Sequence, residues 1–181
     1  MDAFLPVPFY CEENTWMLLD SEAASDKDFH AILISNETKC VVIFNQNSET
    51  GEDIVFWDYH VVALERNGGG SQIWDFNSKL GAPCDAGEWL TVSFRDNQMP
   101  ANYRPHFRVV PRDVYLSTFA SDRSHMRNSD GTFKKSPPPW ECIGSGKNNL
   151  SQYIDMKSET TGKVYDYYGL AEFIDACDMK S

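Results

Sequence analysis

Three residues far apart in the 181-residue chain carry chemistry by type and by setting: Cys11, His60 and Asp75. Cys11 stands in FYCEENTWMLL, between an aromatic pair and a segment that opens with Glu12 and Glu13. Acidic residues there suit the positive end of a helix dipole, and a thiol there meets free backbone N–H groups that favour the thiolate. His60 interrupts the apolar run FWDYHVV, and Asp75 interrupts QIWDF. A carboxylate on a buried strand is costly unless it is paired or hydrogen-bonded. An imidazole within reach of the thiol takes its proton, and a carboxylate behind the ring fixes the tautomer and steadies the imidazolium.

Cysteine on a first helix, histidine on a strand and aspartate on the next strand is the arrangement of papain-like and transglutaminase-like enzymes. The spacing also fits a small core thiol and a structural His–Asp pair, because cysteine is among the most buried residue types. Around this trio, Glu12 and Asp58 flank the candidate nucleophile and base and are taken as substrate contacts. Glu13 is read as a dipole-stabilising or solvent-facing residue, and Trp57 and Trp74 as core. The four histidines, His30, His60, His106 and His125, show no metal-ligand spacing. The five cysteines are scattered with no C-x-x-C pair, which argues for free thiols over a zinc ribbon or disulfide framework. No metal is expected.

The elements that must position these residues follow from pattern. A helix starts just after Cys11, with Trp16 and Leu19 three residues apart on one face. Strands are expected at HAILIS (30–35), CVVIF (40–44), IVFWDYHVVAL (54–64), SQIWDF (71–76) and FRVVP (107–111), all rich in Val, Ile or aromatics. NSETGED and NGGGS are turns. If the turn at Gly68–Gly69 closes a regular hairpin, His60 opposes Asn77, and Asp75 lies diagonal to His60 on the same face, about 7–8 Å away. A one-residue slip would put the two on opposite faces. DVYLSTFA (113–120) reads as a helix capped by Asp113. Residues 121–147 are polar and Gly/Pro/Ser-rich, a loop long enough to be functional or mobile. NLSQYIDM (149–156) and GLAEFIDACD (169–178) read as helices. The order predicts an α+β fold in a single domain spanning 1–181, an antiparallel sheet packed against helices.

Composition narrows the partners. Apolar residues make up 41% and aromatics 13%, enough for one sizeable core. A net charge of −11 argues against nucleic acid or an anionic membrane and suits a cationic substrate. No apolar run approaches the roughly 18–20 residues that span a bilayer. The start, MDAFLPVPFY, has no basic segment followed by an apolar one, so no signal peptide is expected, and the chain reads as soluble and intracellular.

The strings YCEEN, WDYHVV, WDF, FASDRSHM and PPPWEC, in that order between Tyr10 and Phe173, resemble the protein N-terminal glutamine amidohydrolases. The resemblance implies deamidation of N-terminal Gln to Glu, with release of ammonia through a γ-glutamyl thioester. In the family's pattern the triad falls on Cys11, His60 and Asp75. It further implies a monomer with a papain/transglutaminase-like core, working without cofactor in cytosol and nucleus. Its partners would be proteins and peptides with a free N-terminal Gln, and its product would feed the Arg/N-degron degradation pathway. Within FASDRSHM, Asp122, Arg123, Ser124 and His125 either line the site or, for Arg123 and Asp122, tie down the long loop; Asp122 and Ser124 are taken as substrate contacts and His125 as structural. The rival readings are a transglutaminase-like acyl transferase, a peptidase, and a non-catalytic acidic module that binds basic N-terminal tails.

Overall fold

Strands that read as continuous apolar runs belong where both faces of a sheet are covered. The computed structural model describes residues 5–48, 51–95 and 99–176, and its central strands are covered in that way. The strands β1 (Asp28–Ser35), β4 (His60–Arg66), β5 (Gln72–Trp74), β6 (Cys84–Asp85), β7 (His106–Pro111) and β8 (Lys163–Tyr165) form one antiparallel sheet, ordered β6-β5-β4-β1-β7-β8. Side chains alternate across it. Ile32, Ile34, Val62, Leu64, Phe107 and Val109 share one core with helices α2 (Ala86–Ser93) and α5 (Tyr167–Asp175). Ala31, Leu33, Val61, Ala63 and Val110 share the other with α1 (Cys11–Asp20), α3 (Arg112–Thr118) and α4 (Leu150–Tyr153). The α+β reading and the helix start at Cys11 agree with this architecture.

The expected strand 54–64 is two strands. Residues Ile54–Trp57 form β3, paired with β2 (Val41–Phe44) in a separate two-stranded sheet, and β4 begins at His60. The break has a local cause: Asp58 Oδ1 accepts the Tyr59 N–H at 3.0 Å, while its carbonyl takes the Ser35 hydroxyl at 2.7 Å. The chain therefore turns between the sheets, and His60 becomes the first residue of β4.

The glycine turn sets the β4–β5 register as expected, with Ala63 opposite Trp74 and Glu65 opposite Gln72. Strand β5 ends at Trp74, so His60 and Asp75 both lie beyond the last pair, at the splayed end of the hairpin. Helix α3 is preceded by Pro111, and Asp113 sits within its first turn, so Asp113 is not the cap. Helix α4 is shorter than 149–156, and α5 begins two residues before 169. Its expected end, with Cys177, lies outside the described residues, as do residues 49 and 50 of the first turn. Helix α2, β6 and β8 carry signals that the sequence reading did not use. Asp85 caps α2 by accepting the Glu88 N–H at 2.8 Å. Gly162 leads into β8 with φ +77°, where an added Cβ would collide with the Val109 carbonyl oxygen.

Candidate active site

The helix start that carries Cys11 is strapped from outside. Asn14 holds Val7 at both its N–H and its carbonyl, each at 2.8 Å, and so lays residues 7–9 across the first turn. Phe9 takes φ 70°, a left-handed conformation that costs a bulky residue on the order of 1–3 kcal/mol and persists only under such restraint. Cys11 then opens α1, half-buried, on the wall of a cavity of about 610 Å³. Phe9, Trp57, Asp58, Tyr59, Ser124 and His125 share that wall. The volume suits a small ligand or one terminal residue of a chain.

His60 and Asp75 meet behind the wall. The His60 Nε2 to Asp75 Oδ1 distance is 2.8 Å, and both side chains are sealed from solvent. Asp75 also accepts the Asn77 N–H, the Gln46 amide and the Trp89 indole, each at 3.0 Å. Burial works against its charge, yet the facing His60 and these side-chain donors bring its pKa down to about 2. An ionised carboxylate only accepts, so His60 donates to it from Nε2, and in the neutral ring the lone pair is then on Nδ1. His60 Nδ1 has no hydrogen-bond partner among the described residues. Trp57 stacks on the ring at 5.1 Å and 21°, and so is a support for the imidazole and part of the cavity wall as well as core. Trp74 is half-buried, its indole donating to Glu65 at 3.2 Å.

The thiol is not the ready thiolate that the helix dipole suggested. Desolvation first, and then the Glu12 charge, push the Cys11 pKa well up, while the Val61 backbone N–H pulls the other way. The Sγ–H points to Glu12 Oε2 at 3.6 Å. Local dipole arguments miss this because the opposing terms come from tertiary burial and a neighbouring anion.

The other expected contacts divide. Asp58 and Ser124 line the cavity. Asp122 does not; its carboxylate accepts the Ser124 N–H at 2.9 Å and braces the turn. Glu12 has no exposed side-chain surface, its carboxylate taken up by Cys11, by Tyr59 Oη at 3.2 Å and by His125 Nε2 at 3.1 Å. Glu12 therefore reaches a substrate only through its neighbours. Glu13 is neither solvent-facing nor a simple dipole partner. Fully buried, it receives Arg123 Nη2 at 2.8 Å, Ser121 Oγ at 2.9 Å and Trp140 Nε1 at 2.9 Å, which ties the 121–147 loop to α1. His125, read as structural, lines the cavity. Gln46, Trp89, Tyr59 and Asn148 were not singled out from sequence, since only folding brings them to the site. Among the described residues no group of three or more His, Cys, Asp or Glu side chains is placed to hold a metal ion. No helix among them is long and apolar enough to cross a membrane.

Against known proteins, residues 7–174 match a family described as N-terminal glutamine amidase. A human protein N-terminal glutamine amidohydrolase is 39% identical, across 95% of this chain and 87% of its own. The Caenorhabditis briggsae protein of that name is 40% identical across 83% of each chain. Its Arabidopsis thaliana namesake is 35% identical, across 89% of this chain and 80% of its own.

Proposed function

The chain belongs to the N-terminal glutamine amidase family, and from that premise we propose that it hydrolyses the side-chain amide of an N-terminal glutamine to glutamate and ammonia. The observation that carries the chemistry is the oriented base. Asp75 accepts from His60 Nε2 and leaves Nδ1 without a hydrogen-bond partner among the described residues at the sheet end, where Cys11 opens α1. The bond still to be made is Sγ–H to Nδ1, and catalytic hydrogen bonds commonly tighten only when substrate is bound.

In this reading Cys11 Sγ gives its proton to His60 Nδ1 and attacks the γ-carboxamide carbon. Asp75 stabilises the imidazolium. The tetrahedral oxyanion is met by the Cys11 backbone N–H, one of the donors that a helix start leaves unpaired. His60 then returns the proton to the departing nitrogen, ammonia leaves, and a γ-glutamyl thioester remains. A water molecule, deprotonated by His60, attacks the thioester carbon and releases Glu with the thiol restored.

The same reading extends to a transglutaminase-like core and to a monomer acting in cytosol and nucleus. Its products, N-terminal Glu proteins, would enter the Arg/N-degron pathway. The test is mass spectrometry of a Gln-initiated peptide and of the same peptide with Gln placed internally. The expected result is amide-to-acid conversion of the first alone, without cleavage, whether or not a primary amine is added. Conversion of the internal Gln, or its coupling to the added amine, would favour the acyl-transferase reading. Binding without conversion would favour the non-catalytic module.

A further inference from the structure

Glu12 is a buried carboxylate that no fixed cation meets. Its three side-chain partners are the Cys11 thiol, the Tyr59 hydroxyl and His125 Nε2, and among the described residues no Lys or Arg pairs with it. The state of His125 follows from hydrogen bonds further out. The Leu150 N–H donates to Asn148 Oδ1 at 2.8 Å, which turns the Asn148 amide nitrogen toward His125 Nδ1. An amide nitrogen only donates, so Nδ1 accepts and holds no proton. The ring's one proton is on Nε2 and is given to Glu12, leaving the imidazole neutral and the carboxylate uncompensated. Tyr59, having given its hydrogen to Glu12, offers the cavity only oxygen lone pairs. Burial and the Glu12 charge raise its pKa well above the usual value, so it stays a phenol. Lys39 and Lys134 also line the cavity, but Lys134 is bonded to the His125 carbonyl at 2.9 Å and not to Glu12.

A buried anion without a cation, one side chain away from an open cavity, is a site for a cation. We propose that Glu12, acting through Tyr59 and His125, is the counter-charge for the α-ammonium of the substrate, and that Asn148 preserves it by holding His125 neutral. This rests on the N-terminal glutamine reading and names the residues that would read the terminus. Glu12, His125 and Asn148 are positioning residues, and Tyr59 touches the ammonium.

The experiment compares a Gln-initiated peptide with the same peptide carrying hydrogen in place of the α-amino group, a glutaramoyl peptide that loses the charge without adding bulk. In the wild type the glutaramoyl peptide is expected to be poorer by about tenfold to a hundredfold in kcat/KM, mostly in KM. Glu12→Gln should collapse that ratio toward one, because whatever it does to the Cys11 thiol bears on both peptides and the loss of the counter-charge bears on the free-amine peptide. It should also speed iodoacetamide alkylation of Cys11 at neutral pH, because an anion beside the thiol is gone. Tyr59→Phe, at a half-buried position, gives the second measurement should Glu12→Gln fail to fold, and is expected to shrink the same ratio. Equal use of both peptides by the wild type would overturn this proposal while leaving the proposed function standing. So would an undiminished ratio in either folded variant. Turnover of neither peptide would overturn both.

Discussion

Glu12 and Glu13 are neighbours in the first turn of α1, both fully buried, and the fold uses them in opposite ways. Glu13 faces the long loop and is matched by Arg123, with Ser121 and Trp140 completing its shell. Glu12 faces the cavity side and meets the Tyr59 hydroxyl, His125 and the thiol of the candidate nucleophile, with no Lys or Arg paired to it among the described residues. A buried ion pair with its donors satisfied fixes a structure, whereas a buried charge left unmatched stays available to a ligand. The helix dipole favours both residues alike, so the division between clamp and site comes entirely from what packs against each.

A third buried carboxylate, Asp75, sharpens the contrast, since no Lys or Arg meets it either, yet four donors surround it, one of them the candidate base His60. Asp75→Asn should fold and lower kcat by about 10³–10⁴-fold, because the ring keeps its place while its tautomer is no longer enforced. Steady-state kinetics with a Gln-initiated peptide checks this, and wild-type kcat in that variant would remove Asp75 from the mechanism. The clamp should fail through stability instead. Arg123→Ala strands the Glu13 charge and should cost about 3–5 kcal/mol in urea unfolding. A comparable loss in Glu12→Gln would erase the distinction between the two glutamates.

Acid titration separates Asp75 by its own window. The Asp75 pKa is depressed in the fold from 3.8 to about 2, so its contribution is complete above the unfolded value and is lost as pH falls through the folded one. Stability should therefore drop by about 2 kcal/mol between pH 4 and 2 on account of this group. Denaturant midpoints across that range, compared with Asp75→Asn, test it: the variant should lack this part of the slope. The smallest expected effect is at Trp57. Replacing the stacked ring by Leu should lower kcat by about threefold to tenfold, as expected for the loss of a ring contact of this kind. Unchanged kcat would make the stack on His60 incidental.

Much of this was legible in the sequence where the cause is local. The acidic first turn marks the start of α1, and the glycine turn sets the hairpin register that brings Asp75 to His60. The break at Asp58 was hidden because the Val, Ile and aromatic residues on both sides of it are β-prone and a single aspartate does not by itself end a strand. Only an aspartate folding back on the next N–H, and a serine from β1, end the strand there. The Glu13–Arg123 pair joins residues 110 positions apart, and Gln46 and Trp89 reach Asp75 across 29 and 14. Such pairings have no periodic signature. The Cys11 thiol shows the limit most clearly. Its favourable dipole can be read from CEEN, whereas the burial and the Glu12 contact that outweigh it exist only after folding.

Whether Cys11 Sγ attacks the amide carbon is decided by Cys11→Ala. Ammonia release from a Gln-initiated peptide should be measured for this variant beside the wild type, with near-UV circular dichroism to verify the fold. The expected result is an unchanged spectrum and no ammonia above the uncatalysed rate. A folded Cys11→Ala protein that still converts N-terminal Gln to Glu at a rate near the wild type's would contradict it.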